Sequence, residues 1–444
     1  MMQKTSRPFL ALLFSLLFLL PAGGGASEGE MPAAAITVLG FGSPYSQDFT
    51  RQTGIAVTEI QPRGGDSMDK LATAMVTREG SVDIYAFYAK DGLLSLKEKG
   101  YFVDLRTSPV LSAALHELYP ALGTAIQHAG QIAVWPAAAS VSFRGMDEYM
   151  MADNQLQSPA TWEEALDLIA ELEARGVFAE GVAAPFAQWN YCRGDMLKYF
   201  VQEYLLARTA SGAPITFDTP DFRRVAGRIM RQVPLHDPYP RSEGWEDTLF
   251  SVVGSNVDWG QFELPLKISR EDPGYLPMNA RILVVNPYSK HREAAIQYLE
   301  FLATKRTRED YGMYQSLTAP IIDEEFNRRW EEAAAALEQL EQKLVPQGEQ
   351  LHHQQRLQQL REEVRMLAIS RYQVSQESID SYQAFAPHFV VLEDPLILYN
   401  EKLGQLVDRL VAGGLDLEGF IREADQYIRL VMQERGMETG GKTP

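Results

Sequence analysis

The sequence predicts an α/β protein of two lobes with an additional helical region towards its C-terminus. Three observations predict it. The chain has 444 residues, more than one ordinary hydrophobic core serves, so two lobes are the natural expectation. Its first part alternates short apolar, β-branched runs with amphipathic stretches, the pattern of a parallel sheet with helical crossovers. From Glu324 onward apolar residues recur at helical spacing almost to the end.

Lys4 and Arg7 precede an apolar run, Phe9 to Leu20, broken only by Ser15. Pro21 and the small residues Gly23 to Ala26 follow. This is the layout of an export signal over residues 1–26. The run is short for a membrane span, which needs about 20 residues; an uncleaved N-terminal anchor is the alternative. No later segment is apolar enough to span, so the mature chain is expected to be soluble outside the cytoplasmic membrane.

Ala35–Phe41 reads as a buried strand ended by Gly42, Ser43 and Pro44, and Ile55–Ile60 as a second strand. Asp66 or Ser67 can cap a helix with Leu71, Met75 and Val76 on one side. Ser81–Phe87 is a third strand, and Leu93–Lys99 a short helix closed by Gly100. Ligands of such sheets bind at loops beyond the carboxyl ends of the strands. Gln131–Val141 is strand-like, but Pro136 removes a ladder donor, so it reads as a bend or edge where the chain crosses between lobes. Thr161 and Glu164 form a capping-box pattern ahead of the stripe Ala165, Leu168, Ile169 and Leu172. Residues 160–235 are mainly helical. Residues 236–280 lack periodicity and read as loop-rich.

Arg281–Val285 returns as a strand, and Ser289 caps a helix carrying Ala295, Ile296, Leu299 and Leu302. Phe326, Trp330, Leu337, Leu340 and Leu344, a break at Pro346–Gly348, then Leu351, Leu357, Leu360, Val364 and Leu367 read as an antiparallel helical hairpin over 324–370. Its narrow apolar stripe is expected to pack on the second lobe. A last helix follows Asp416.

Composition narrows the function. The net charge of −18 argues against nucleic acid, whose binding needs clustered Lys and Arg. A single cysteine, Cys192, excludes an intramolecular disulfide. The P-loop string at 436–443 follows a helix and precedes the chain end, whereas a P-loop needs a strand before it and a helix after it. His352 and His353 diverge on a helix, so both cannot face one metal. Neither HExxH nor GxSxG occurs. The expectation is no catalysis, no metal and no cofactor.

Four segments carry a family resemblance. They are SVDIYAF with LLSLKEKGYFVDL (Asp83, Ile84, Leu96, Gly100, Leu105), GQIAVWP (Gly130 to Pro136), PATWEEALDLI, and NPYSKHREAAIQYLEFLA at 286–303. Together with the C-terminal helix their order resembles the bacterial extracellular solute-binding proteins of family 1, the maltose-binding-protein-like receptors of ABC importers. The resemblance implies a two-lobed periplasmic-binding-protein-like fold (type II), three crossings and hinge closure on a solute. It divides the chain into an N-terminal lobe of 31–138 and 283–318, and a C-terminal lobe of 141–280 and 321–436 that includes the hairpin, with a disordered tail at 437–444. It implies membrane permease subunits as partners, a monomer, and a place at the outer face of the cytoplasmic membrane or in the periplasm. The window LPAGGGAS has no cysteine for a lipid anchor.

Sugars offer flat C–H faces to aromatic rings, and hydroxyls to planar donors and acceptors. Loops expected at the cleft supply both. The candidate ligand-binding residues are Phe41, Tyr45, Asp66, Tyr88, Trp135, Trp189, Tyr191 and Trp259, with Arg63, Phe87, Asn190, Trp245 and Asp258 nearby. Trp162 and Trp330 are assigned to helix packing. The function expected is capture of a small polar solute, an oligosaccharide foremost, for delivery to the permease. The alternatives are a peptide receptor of the same fold and a surface or sensor-associated protein that docks a partner through the hairpin.

Overall fold

The computed structural model describes residues 34–62, 67–146, 148–178, 183–187, 189–239, 248–255, 263–343, 350–393 and 400–434. The expected signal, Asp66, Trp245, Asp258, Trp259 and the P-loop string lie outside them. Among the described residues no helix is long and apolar enough to cross a membrane.

The first strands are β1 (Ala34–Leu39), β2 (Ile55–Ile60) and β3 (Ile84–Tyr88), parallel in the order β2-β1-β3. Helices α1 (Ser46–Thr53) and α2 (Ser67–Thr77) make the crossovers. Helix α3 (Leu93–Lys99) ends where predicted, because Gly100 takes the left-handed φ of 64° that a side chain resists. Beyond these strands the sheet departs from the wholly parallel expectation. β4 (Trp135–Met146), β5 (Ala184–Phe186), β6 (Thr248–Ser255) and β7 (Leu276–Val285) complete the order β2-β1-β3-β7-β4-β6-β5. β7 runs antiparallel to both β3 and β4, so the sheet is mixed. β8 (Phe389–Val391) lies parallel beside the start of β7.

Pro136 is accommodated as expected of an interrupted strand. The β4–β7 register shifts between Pro136 and Ala138, and β6 pairs with β4 only from Val141 onward. The proline therefore sits where β4 has one strand neighbour and a bulge absorbs the lost donor. The stretch 236–280 contains more order than expected, since β6 and the first half of β7 fall within it.

Two hydrophobic cores flank the shared sheet. The first gathers residues from Ile36 to Phe143 and from Leu276 to Val391. The second gathers residues from Met150 to Ile268 and from Leu403 to Ile428. The chain thus passes between cores three times, after Phe143, after Ile268 and after Val391. The third passage differs from the expected division, which moved to the second lobe after residue 318. Val374, Ile379, Tyr382 and Phe389 bury in the first core instead, because Ile321 pairs with Val374 and Ile322 with Tyr372 and returns the chain to its starting point.

The second lobe is helical around β5 and β6. Its α4 (Trp162–Ala174) opens with the predicted capping box: Glu164 N donates to Thr161 Oγ1 at 3.3 Å, and Thr161 N to Glu164 Oε2 at 3.2 Å. Trp162 packs edge-on against Tyr199 and Phe200, as a core residue. Next come α5 (Arg193–Ala210) and α6 (Pro220–Gln232). In the first lobe α7 (Arg292–Ala303) follows β7. Ser289 does not cap α7 as expected: its hydroxyl donates to buried Asp83 and accepts from His291 N at 2.9 Å, tying the turn to the foot of β3.

The hairpin is α8 (Glu324–Glu341) and α9 (Gln350–Ser370). Ala333, Leu360 and Leu367 are buried, and most other hairpin positions are exposed. Its stripe is used to hold the two helices to each other, and it springs from the first lobe, not the second.

Candidate functional site

A cavity of about 630 Å³ opens where the loop after β1, the start of β4, the middle of β7 and the segment after α7 converge. Phe41, Tyr45 and Trp135, three residues singled out in the sequence, line it together. So do Arg281, Lys305, Thr307 to Asp310, Met313 and Tyr314.

The loop after β1 is set by Gly40. Its φ is 87°, and a Cβ there would stand 2.5 Å from Ala86 O and from Ser67 Oγ. Only glycine lets the chain turn so close to β3. Glu59, at the end of β2, then fastens the loop. It accepts from Ser43 N at 2.8 Å and from Ser46 Oγ at 2.5 Å, and Ser46 Oγ also bonds Tyr298 Oη at 2.7 Å. The Phe41 and Tyr45 rings are thereby presented from a fixed loop.

Cations sit over these rings. The Arg281 guanidinium lies 5.5 Å from the Phe41 ring centre and 5.9 Å from that of Tyr88 and donates to Gly40 O. Lys305 Nζ lies 4.3 Å from the Phe301 ring and 5.6 Å from the Tyr45 ring. These are cation–π distances. Burial, then the charges of Asp310 and Glu309, push the Tyr45 phenol up.

The far wall is the segment after α7. Asp310 accepts from Thr307 N at 2.7 Å and from Thr307 Oγ1 at 2.9 Å, closing a reciprocal cap. Burial raises the Asp310 carboxyl above its usual range. Gly312 allows the segment to lie on β4, where a Cβ would meet Ala139 O at 2.6 Å. The Tyr314 phenol is pushed up to about 12, chiefly by burial, while a hydrogen bond from the Trp135 indole opposes the rise. Trp135 is only 1% exposed, so it forms the buried floor of the cavity and offers little free ring surface.

The remaining candidates are dispersed. Tyr88 is 43% exposed and reaches the site only through Arg281. Phe87 is buried in the first core. Trp189 and Tyr191 belong to the second core: Trp189 stacks on Tyr199 at 5.0 Å, and Tyr191 stacks on Tyr239 at 6.4 Å. Burial, Glu173 and Tyr239 push the Tyr191 phenol up. Asn190 binds Asp195 at 2.7 Å. Asp66, Arg63 and Trp259 lie outside the described residues. Sequence reasoning missed Arg281, Lys305, Thr307–Asp310 and Tyr314. A signal existed in the Thr-x-x-Asp cap pattern of Thr307 and Asp310, directly after the family-like helix.

Two cores sharing one mixed sheet, with the chain passing between them three times, make a two-lobed α/β fold. Residues 45–224 match the model of the family described as bacterial extracellular solute-binding protein, in agreement with the resemblance read from the sequence. No curated protein matches the chain. Among solved structures, it is similar to the cyclic α-maltosyl-1,6-maltose binding protein of Arthrobacter globiformis, with 14% identity, 90% of this chain and 99% of that chain covered, and a TM-score of 0.56. It is also similar to an ABC transporter solute-binding protein of Agrobacterium radiobacter K84 in complex with ribitol, with 14% identity, coverages of 89% and 98%, and a TM-score of 0.52. A third is an ABC transporter solute-binding protein of Agrobacterium vitis S4 with bound D-mannitol, with 14% identity, coverages of 91% and 99%, and a TM-score of 0.50. At these identities the likeness establishes the fold.

Proposed function

We propose that this chain is the solute receptor of an ABC importer, working outside the cytoplasmic membrane and without catalysis of its own. It takes a small polyhydroxylated solute, an oligosaccharide foremost, into the cavity between Phe41, Tyr45 and Tyr314. Closure of the lobes buries the solute, and the closed form delivers it to membrane permease subunits. The observation that carries this reading is a cavity combining aromatic rings with fixed charged and hydroxyl groups at the strand ends of a two-core sheet. That is the mixture a sugar needs, because its C–H faces and hydroxyls must both be matched. The similar proteins named above, with maltosyl, ribitol and mannitol ligands, support a polyol-like solute. The receptor acts as a monomer.

The test is isothermal titration of the mature chain with oligosaccharides, polyols, amino acids and short peptides. A sugar or polyol is expected to bind. Tyr45→Ala is expected to weaken it about fivefold, since one ring–ligand contact is worth about 1 kcal/mol. Binding confined to peptides, or a sugar affinity unmoved by Tyr45→Ala and Phe41→Ala alike, would overturn the assignment.

A further inference from the structure

Resting on that receptor reading, we infer that the sugar captured in this cavity is acidic: a saccharide bearing a carboxylate, which Arg281 and Lys305 neutralise. The cavity runs against the charge of the chain. Overall the protein carries −18, yet three cations and two acids line this pocket. The two acids are not equivalent partners. Asp310 spends an oxygen on both donors of Thr307, and Glu309 stands exposed at the rim.

Arg281 and Lys305 are held in another way. Each is half-buried, and among the described residues neither has a carboxylate within ion-pair distance. Their neighbours are rings: Phe41 and Tyr88 for the guanidinium, Phe301 and Tyr45 for the ammonium. A ring face positions a cation but does not cancel its charge. Gly40 O takes one contact from the arginine fork, and a guanidinium has five donors. A neutral sugar entering here would strip water from two cations and return no counter-charge, which costs free energy. A carboxylate supplies that charge through short charge-assisted hydrogen bonds, while the rings on the same loop take the sugar's C–H faces.

The experiment titrates the mature chain with trigalacturonate, galactotriose and citrate at low and high salt. Trigalacturonate is expected to bind at least about tenfold tighter than galactotriose, the scale of one hydrogen bond to a charged group. That preference is expected to shrink between about 0.05 M and about 0.5 M salt, because screening weakens partly exposed pairs. Arg281→Gln and Lys305→Met should each remove most of the preference by weakening trigalacturonate, with galactotriose bound as tightly or tighter because it no longer strips water from that cation. Arg281 also supports Gly40, so melting temperature is measured for both variants, and Lys305→Met keeps the test valid if Arg281→Gln unfolds. Equal or tighter binding of galactotriose overturns the acidic-sugar inference and leaves the receptor reading intact. Citrate matching trigalacturonate retains the charge but overturns the sugar. Failure of every saccharide, neutral and acidic, overturns the receptor reading itself.

Discussion

Glu203 is a carboxyl held well above its ordinary range. It lies on α5 one turn beyond Tyr199, and burial, reinforced by Asp272, pushes its carboxyl up to about 8. A carboxyl raised in the fold above its ordinary 4.5 favours the protonated native state. Its stabilising contribution is full below the unfolded value and is lost as pH rises through the folded one. Asp104, Glu117 and Glu164 are shifted downward, chiefly by hydrogen bonds from Arg106, Arg306 and Arg270. Their contribution is present at neutral pH and is lost on acidification. The expected stability profile is therefore a dome whose alkaline side belongs to Glu203. Urea unfolding at about pH 5 and about pH 9 should show a falling midpoint for the native sequence and a flatter one for Glu203→Gln. Identical slopes in the two proteins would remove Glu203 as the cause.

The hairpin of α8 and α9 is an insertion at the scale of the element. Its ends meet at the Ile321–Val374 and Ile322–Tyr372 pairs, and its buried side chains face one another. Excising 324–370 and joining the ends with a short Gly-Ser linker should leave solute affinity unchanged within about twofold, because closing a short loop costs little. A lost affinity, measured by titration on a variant that still melts cooperatively, would mean the hairpin reaches the cavity. The hairpin was legible from its 3.6-residue periodicity, and so were α3, α4 and their caps, because local spacing decides them. Its attachment was not legible. A two-residue ladder at Ile321 and Tyr372 joins positions far apart in sequence, and no local pattern announces it. The site divided in the same way. Phe41 and Tyr45 follow a strand end, which marks them; Trp135 was expected at a crossing between lobes, but it opens β4 inside the first core and the chain crosses only after Phe143. Arg281 sits mid-strand and Lys305 in a helix tail, where a charged residue usually means only a solvated face. Trp189 and Tyr191 sit in an aromatic-rich segment like a binding loop, but their rings complete the second core.

At the scale of the whole molecule, the two cores are coupled through the strands that serve both. In the first passage buried Arg144 donates to Leu264 O at 3.0 Å and pairs with Glu263 at 2.9 Å, and Leu264 itself packs against the first core. The third is fastened to the first lobe, where Leu94 N donates to Glu393 O at 3.2 Å and Lys97, bonded to Ala125 O at 2.9 Å, pairs with the Glu393 carboxylate. Among the described residues the cavity lining comes from the first lobe and from strands β4 and β7, and the proposed receptor role would have solute dock there before the lobes close. Small-angle scattering of the mature chain should accordingly give a smaller radius of gyration with saturating solute than without. The same solute at a hundredfold excess over its dissociation constant should add about 2.7 kcal/mol of stability. Stabilisation with an unchanged radius would locate binding in a preformed pocket and remove hinge closure from the mechanism.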